Sequence, residues 1–169
     1  VFNSEDCLRV LASRIQEALS SVVGSYEVLL IDDCSEDSSW TVVDELCLEV
    51  AEFRGFRFRK NFGQDNAIMA GLANATGDIV VIMDDDLQHD PGDIRLLVAS
   101  LGDKYDVCYG QFIAKRQTMF KNIGSWLNNL VANIVLRKPR ALYLSPFKAI
   151  RGDIAREVIK YQGPYPYVD

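Results

Sequence analysis

The reading of the fold turns on Asp78-Ile79-Val80-Val81-Ile82-Met83-Asp84-Asp85-Asp86-Leu87-Gln88-His89-Asp90-Pro91. Ile79 to Met83 form an apolar run fenced by Thr76-Gly77 on one side and Pro91-Gly92 on the other. A run of that length between turn residues suits a short buried strand, central in a parallel sheet. It stops at three consecutive aspartates, and the carboxyl ends of such strands are where open α/β sheets bind ligands. Adjacent carboxylates repel one another. A hard divalent cation, Mg²⁺ or Mn²⁺, would neutralise them through oxygen ligands and bring a phosphate-bearing substrate with it. The competing reading is a solvated acidic turn, because charge runs are commonly just hydrated.

Upstream, Tyr26 to Ile31 is a second buried-strand candidate, and it too runs into acids, Asp32-Asp33-Cys34-Ser35. Before it, Ser4 reads as an N-cap with Glu5-Asp6 in the first turn, and Leu8, Leu11, Ala12, Ile15 and Leu19 recur at helical spacing. After it, Ser35-x-Asp37-Ser38-Ser39 offers caps for a helix carrying Val42, Val43, Leu46, Val50 and Phe53. Phe56-Arg57-Phe58-Arg59 alternates like a half-buried strand, followed by the polar turn Lys60-Asn61-Phe62-Gly63-Gln64 and a helix to about Ala75. Beyond Pro91 come a helix with Ile94, Leu97, Val98 and Leu101, then a strand from Tyr105 to Tyr109.

Strands alternating with helices over short connections predict a doubly wound α/β fold with a mostly parallel, Rossmann-like sheet. Two strands ending in paired acids place those acids on one rim, where they converge. Past Gly110 the pattern changes. Residues 120–136 predict a helix with Ile123, Leu127, Leu130, Val131 and Ile134 on one face, bracketed by Lys115, Arg116, Lys121, Arg137, Lys138 and Arg140. That helix reads either as a core helix with a solvated back or as one lying on a membrane surface. A strand within Leu142 to Ile150, interrupted by Pro146, and a helix from Asp153 to Tyr161 complete the chain. No strand precedes the first helix and no closing element follows Tyr165, so truncation at both ends is expected.

At 169 residues, one domain with a sizeable core is expected. No apolar run reaches the roughly 18 residues that span a bilayer. Cys7, Cys34, Cys47 and Cys108 are scattered without a Cys-x-x-Cys pair and read as reduced thiols, and the single His89 cannot build a zinc site alone. The net charge of −6 is unevenly spread. Residues 1–110 carry 8 Lys/Arg against 21 Asp/Glu, whereas residues 111–169 carry 10 against 3. The basic part faces something anionic, whether nucleic acid, an anionic membrane or a lipid phosphate, unless the split is only a solvated surface. The acidity of the first 110 residues argues against nucleic acid, which wants a basic footprint.

Four motifs in order carry a resemblance over nearly the whole chain. Phe2-Asn3-Ser4-Glu5, Asp32-Asp33-Cys34-Ser35-x-Asp37, Lys60-Asn61-Phe62-Gly63-Gln64 and Asp84-Asp85-Asp86-Leu87-Gln88 resemble the Pro-x-Tyr-Asn-Glu, Asp-Asp-Gly-Ser-x-Asp, Arg-Asn-x-Gly-Gln and Asp-x-Asp-Leu-Gln segments of inverting family 2 glycosyltransferases with the GT-A fold. The chain is most similar to the polyprenyl-phosphate type, which includes dolichol-phosphate mannose synthases, bactoprenol glucosyltransferases and aminoarabinose transferases. Three departures stand out: Cys34 for glycine, which must avoid a positive φ or accept strain; Lys60 for arginine, without the bidentate fork; and Ser4 where many members have glutamate.

The resemblance implies a single GT-A catalytic domain over residues 1–169, with a nucleotide-sugar and metal part (1–110) and an acceptor side (111–169). Phe2, Asn3, Glu5, Asp32, Asp33, Asn61, Gln64, Asp84 and Asp85 would meet the nucleotide sugar. Asp84 and Asp86 would be the catalytic pair, with Mg²⁺ or Mn²⁺ held by Asp86 and Gln88. Lys148 and Arg151, and less so Lys60, would offset the acceptor phosphate. The implied partners are a nucleotide-diphosphate sugar and a polyprenyl phosphate at the cytoplasmic face of a membrane, reached through parts outside this chain, with room for a homo-oligomer. Two alternatives remain: a same-fold transferase acting on a saccharide hydroxyl with Asp90 as base, and a non-catalytic nucleotide-sugar binding module.

Overall fold

The computed structural model describes residues 1–20, 24–110, 145–161, 163 and 166. The elements run α1 (Glu5–Leu19), β1 (Val28–Asp32), α2 (Ser39–Glu49), β2 (Phe53–Arg57), α3 (Gln64–Asn74), β3 (Ile79–Ile82), a 3-10 turn (Pro91–Asp93), α4 (Ile94–Leu101), β4 (Val107–Tyr109), β5 (Lys148–Arg151) and α5 (Gly152–Val158). The expected alternation of strands and helices is present. The helix expected over residues 120–136, the basic residues that flank it and the carboxyl terminus lie outside the described residues, apart from the short pieces named above.

β1 and β2 pair in parallel, Val28 opposite Phe53 and Asp32 opposite Arg57. Val1 extends this ladder. Its backbone N donates to Ile31 O at 2.7 Å and Asp33 N donates to Val1 O at 2.9 Å, the bond pattern of a parallel neighbour. Phe53, expected at the end of the preceding helix, instead opens β2. It is buried with Leu8, Ala12, Leu30, Val43 and Leu46 in the cluster that seats α1 and α2 on this pair of strands. Helical spacing reached Phe53 only by accident of register, because Val50 already has an extended backbone.

The second sheet differs from expectation. β5 runs antiparallel between β3 and β4, in the order β3-β5-β4. Among the described residues β3 therefore has one strand partner and stands at the edge of its sheet rather than at its centre. It is also only half buried, with Ile79 40% exposed. Its unbroken apolar run has a different cause. Val80 and Ile82 pack with Ile68, Met69, Leu72, Ile150 and Ala155 below α3 and α5, while Val81 and Met83 pack with Leu97, Leu101, Phe147 and Ala149 below α4. Both faces of the strand are covered by helices, so neither needs polar residues. Removing a wholly buried side chain such as Leu101 beyond Cβ would cost about 2–5 kcal/mol.

β5 comes from the basic part of the chain and lies between two strands from the acidic part. The charge split is therefore not a boundary between folding units. The turn from β5 into α5 is tight. Gly152 N donates to Asp78 O at 2.7 Å, and a Cβ on Gly152 would collide with Gly77 O.

Candidate active site

Asp32 closes β1 and is wholly buried, so its charge must be met from within. Ser35 N lies 3.3 Å from each of its oxygens, the Ser35 hydroxyl also donates to it, and Arg57 Nε stands 3.1 Å from Oδ2. Arg57 Nη2 donates to Ser35 O at 3.0 Å, fastening the turn from a second side. Asp33 is nearly as buried, and its two oxygens accept from Phe62 N at 2.7 Å and Gly63 N at 2.8 Å. Between them and Ser35 sits Cys34 at φ +63°, so the turn keeps the conformation that glycine favours and accepts the strain.

The Asp33 clamp shapes the Lys60–Gly63 turn, where Gly63 at φ +89° precedes α3. Gln64, first in that helix, donates its side-chain amide to Asp84 Oδ1 at 2.7 Å. The acids after β1 and the acids after β3 are thus joined through one turn on one rim, as the sequence pattern requires. Burial raises the Asp84 carboxyl above its ordinary value, and the charges of Asp86 and Asp85 push the same way against the opposing influence of His89. His89 is itself buried in the loop and stacks on Phe147, ring centroids 5.3 Å apart.

Asp86 and Gln88 are exposed, and Gln88 N donates to Asp86 Oδ1 at 3.0 Å. Among the described residues no three His, Cys, Asp or Glu side chains converge as a closed metal cage. An exposed carboxylate, with an exposed glutamine two residues on, fits an ion that takes most of its oxygens from a diphosphate and water, as Mg²⁺ and Mn²⁺ do.

The expected nucleotide contacts divide into two groups. Phe2, 48% exposed, and Asn61 face outward at the rim, Asn61 bracing its turn through Gly63 N. Asn3 and Glu5 hold loops together. Asn3 N donates to Ser35 Oγ at 3.0 Å and Asn3 Oδ1 accepts from Glu36 N at 2.9 Å, while Glu5 Oε2 accepts from Ser38 N at 2.7 Å. Asp32 and Asp33 likewise grip neighbouring main chain and side chains. All four thus also brace the loops around the rim. Asp85 accepts from Phe2 N and from the Ser4 hydroxyl. Ser4 stands at the N-cap of α1 without capping it.

The two cations assigned to an acceptor phosphate are split. Lys148 lies opposite Ile82, at the acid end of β3, but is wholly buried with Nζ 5.7 Å from the Tyr109 ring centroid. Arg151 lies opposite Ile79, roughly 10 Å further along the strand. There it donates to Gly102 O at 3.1 Å and stands 4.0 Å from Asp153. Antiparallel β5 carries it away from the rim. Lys60 has its ammonium 4.8 Å from the Phe62 ring centroid. Asp90 accepts from Gly92 N at 2.9 Å as the cap of the 3-10 turn. Sequence reasoning missed Arg57 and buried Ser39, whose hydroxyl accepts from Ser4 N at 2.8 Å. Parallel registration of β1 with β2 would have found the first; no pattern signals the second.

The profile of glycosyl transferase family 2 matches residues 2–158. The chain belongs to that family. Within it, the chain is 32% identical over 163 residues to undecaprenyl-phosphate 4-deoxy-4-formamido-L-arabinose transferase of Aeromonas hydrophila, covering 94% of this chain and 48% of that protein. It is 33% identical over 155 residues to the Enterobacter sp. (strain 638) transferase of the same name, covering 91% and 47%. The chain thus spans about half the length of these relatives. In shape it is similar to glucosyl-3-phosphoglycerate synthase of Mycobacterium tuberculosis solved with Mn²⁺, UDP and glucosyl-3-phosphoglycerate. The TM-score is 0.70 at 17% identity, over 91% of this chain and 55% of that one, a likeness of fold alone. The family's GT-A fold accounts for the helix-covered sheet and for the acid rim. Among the described residues no helix is long and apolar enough to cross a membrane.

Proposed function

We propose that this chain is the catalytic domain of an inverting glycosyltransferase that moves a sugar from a nucleotide-diphosphate donor to a polyprenyl phosphate. The observation that carries the reading is the bond from Gln64 to Asp84, continued through Gly63 to Asp33. It unites three separate motifs on one rim, as a nucleotide sugar spanning base, ribose, diphosphate and sugar requires. The named transferase relatives support the acceptor class.

In this reaction the bond from the anomeric carbon to the donor's β-phosphate oxygen breaks and a bond to an acceptor phosphate oxygen forms. The leaving group is a nucleoside diphosphate. The acceptor is already anionic, so the site needs no strong base; a saccharide hydroxyl would need one, and Asp90 is engaged as a cap. Asp84, steadied by Gln64, faces the donor sugar and ribose side. Exposed Asp86, with Gln88, would hold Mg²⁺ or Mn²⁺, and that ion when bound offsets charge developing on the leaving diphosphate. Phe2 and Asn61 flank the nucleotide. A lipid-borne acceptor and a cytoplasmic donor put the work at the cytoplasmic face of a membrane. Residues 1–110 supply the donor side and residues 111–169 the acceptor side.

The test is incubation of the full-length protein with a panel of labelled nucleotide sugars, a polyprenyl phosphate and Mn²⁺ or Mg²⁺. Label passing into organic solvent, and lost in Asp86→Ala, is expected. Transfer to a water-soluble saccharide, or binding without transfer, would overturn the reading.

A further inference from the structure

We propose that Asp85 acts as a latch between the two halves of the donor site and is a positioning residue, touching neither cation nor nucleotide; this rests on the donor-site reading above. Its Oδ2 accepts from Phe2 N at 3.1 Å and from Ser4 Oγ at 2.6 Å, reaching across more than 80 residues of chain. Both donors stand on that one oxygen, which ties the carboxylate to the first loop. The two loops it joins are the ones that need holding. The first carries exposed Phe2 and, at φ +51°, Asn3; the second carries exposed Asp86 and, at φ +61°, Leu87.

Left-handed backbone at a non-glycine residue persists only where its surroundings over-determine it. Asn3 is braced on its far side by Ser35 and Glu36. On the near side Asp85 adds two bonds to the one from Ser4 N to Ser39 and to the ladder bonds of Val1. The Ser4 hydroxyl donates to Asp85 and also lies 3.0 Å from Phe2 O, so it is oriented from its own loop and from the acid loop. The latch sets the span between the aromatic side of the donor site and the exposed Asp86.

A positioning role and a charge role differ in what asparagine can do. In Asp85→Asn the side-chain amide oxygen can accept both bonds but carries no charge, whereas Asp85→Ala accepts neither. In the full-length protein, amide hydrogen exchange at Phe2 without ligand is expected to quicken roughly tenfold or more in Asp85→Ala and to stay within about threefold of wild type in Asp85→Asn. Ser4→Ala, which removes one bond from an otherwise intact site, should fall between. The same order is expected in the dissociation constant of whichever of ADP, GDP, UDP or CDP the wild type binds with Mn²⁺. The Ser4→Ala and Asp85→Ala losses should be less than additive in the double variant, as for two ends of one interaction.

Equal damage to nucleotide binding from asparagine and alanine would overturn the latch and make Asp85 a charge contact. Unchanged exchange at Phe2 in Asp85→Ala would overturn it as well. A wild type that binds none of the four nucleotides would sink the donor-site reading, while the exchange pattern still judges the latch by itself.

Discussion

Gln64 and Asp84, twenty residues apart, meet through a 2.7 Å bond from the Gln64 side-chain amide to a half-buried carboxylate. The amide reports on the helix start that Asp33 shapes, and the carboxylate on the strand that ends in the acid run. The two strand ends therefore form one site by direct contact.

Gln64→Ala removes that donor and should lower kcat/KM for the nucleotide sugar about 10- to 100-fold, the usual value of a hydrogen bond to a charged group. Gln64→Glu should be worse, since it sets a second carboxylate against Asp84. Steady-state kinetics at fixed Mn²⁺, with a melting curve for each variant, checks the order.

Asp84 is held above its ordinary carboxyl value of 3.8, first by burial. A group whose folded value is raised binds more protons folded than unfolded in the window above 3.8, so stability falls as pH rises through that window. The penalty is complete once the pH exceeds the raised folded value. Asp84→Asn should therefore raise Tm without ligand at pH 7, and the gain should vanish as the pH approaches 3. Transfer activity should be lost in the same variant. Thermal melts across the pH range decide it.

Arg57 is 41% exposed on its side chain, but its partner Asp32 is wholly buried. Arg57→Met leaves a buried carboxylate with the Ser35 bonds alone, and should destabilise by about 1–3 kcal/mol. Arg57→Lys should recover only part, lacking the fork that reaches both Asp32 and Ser35 O. Urea unfolding gives both numbers.

Gly152→Ala places a Cβ against the backbone oxygen of Gly77, where no flexible side chain can yield. The β3–β5 connection must shift, and a loss of about 1–3 kcal/mol is expected, again by urea unfolding.

Much of this was readable from the chain because strand ends and motifs are local signals. Asp33 and Asp84 could be placed on one rim from the positions of the apolar runs before them. The edge position of β3 was not readable, because a run such as Ile79 to Met83 reports only that both faces are apolar and not what covers them. Neither was the insertion of β5, since pairing partners separated by some 70 residues leave no periodic trace. The separation of Lys148 from Arg151 was hidden for the same reason: the two sit at opposite ends of a four-residue antiparallel strand. The bonds that Asp32, Asp33 and Glu5 accept from neighbouring main chain were hidden too.

The place of β5 also sets an order of events during synthesis. Among the described residues β3 and β4 share no ladder with each other and are joined only through Lys148–Arg151. On a ribosome adding ~5–20 residues per second, the nascent β3 waits several seconds for its bridging strand. Until then its apolar edge is open to chaperones and to other nascent chains, whereas the β1–β2 pair with α1 and α2 is already complete.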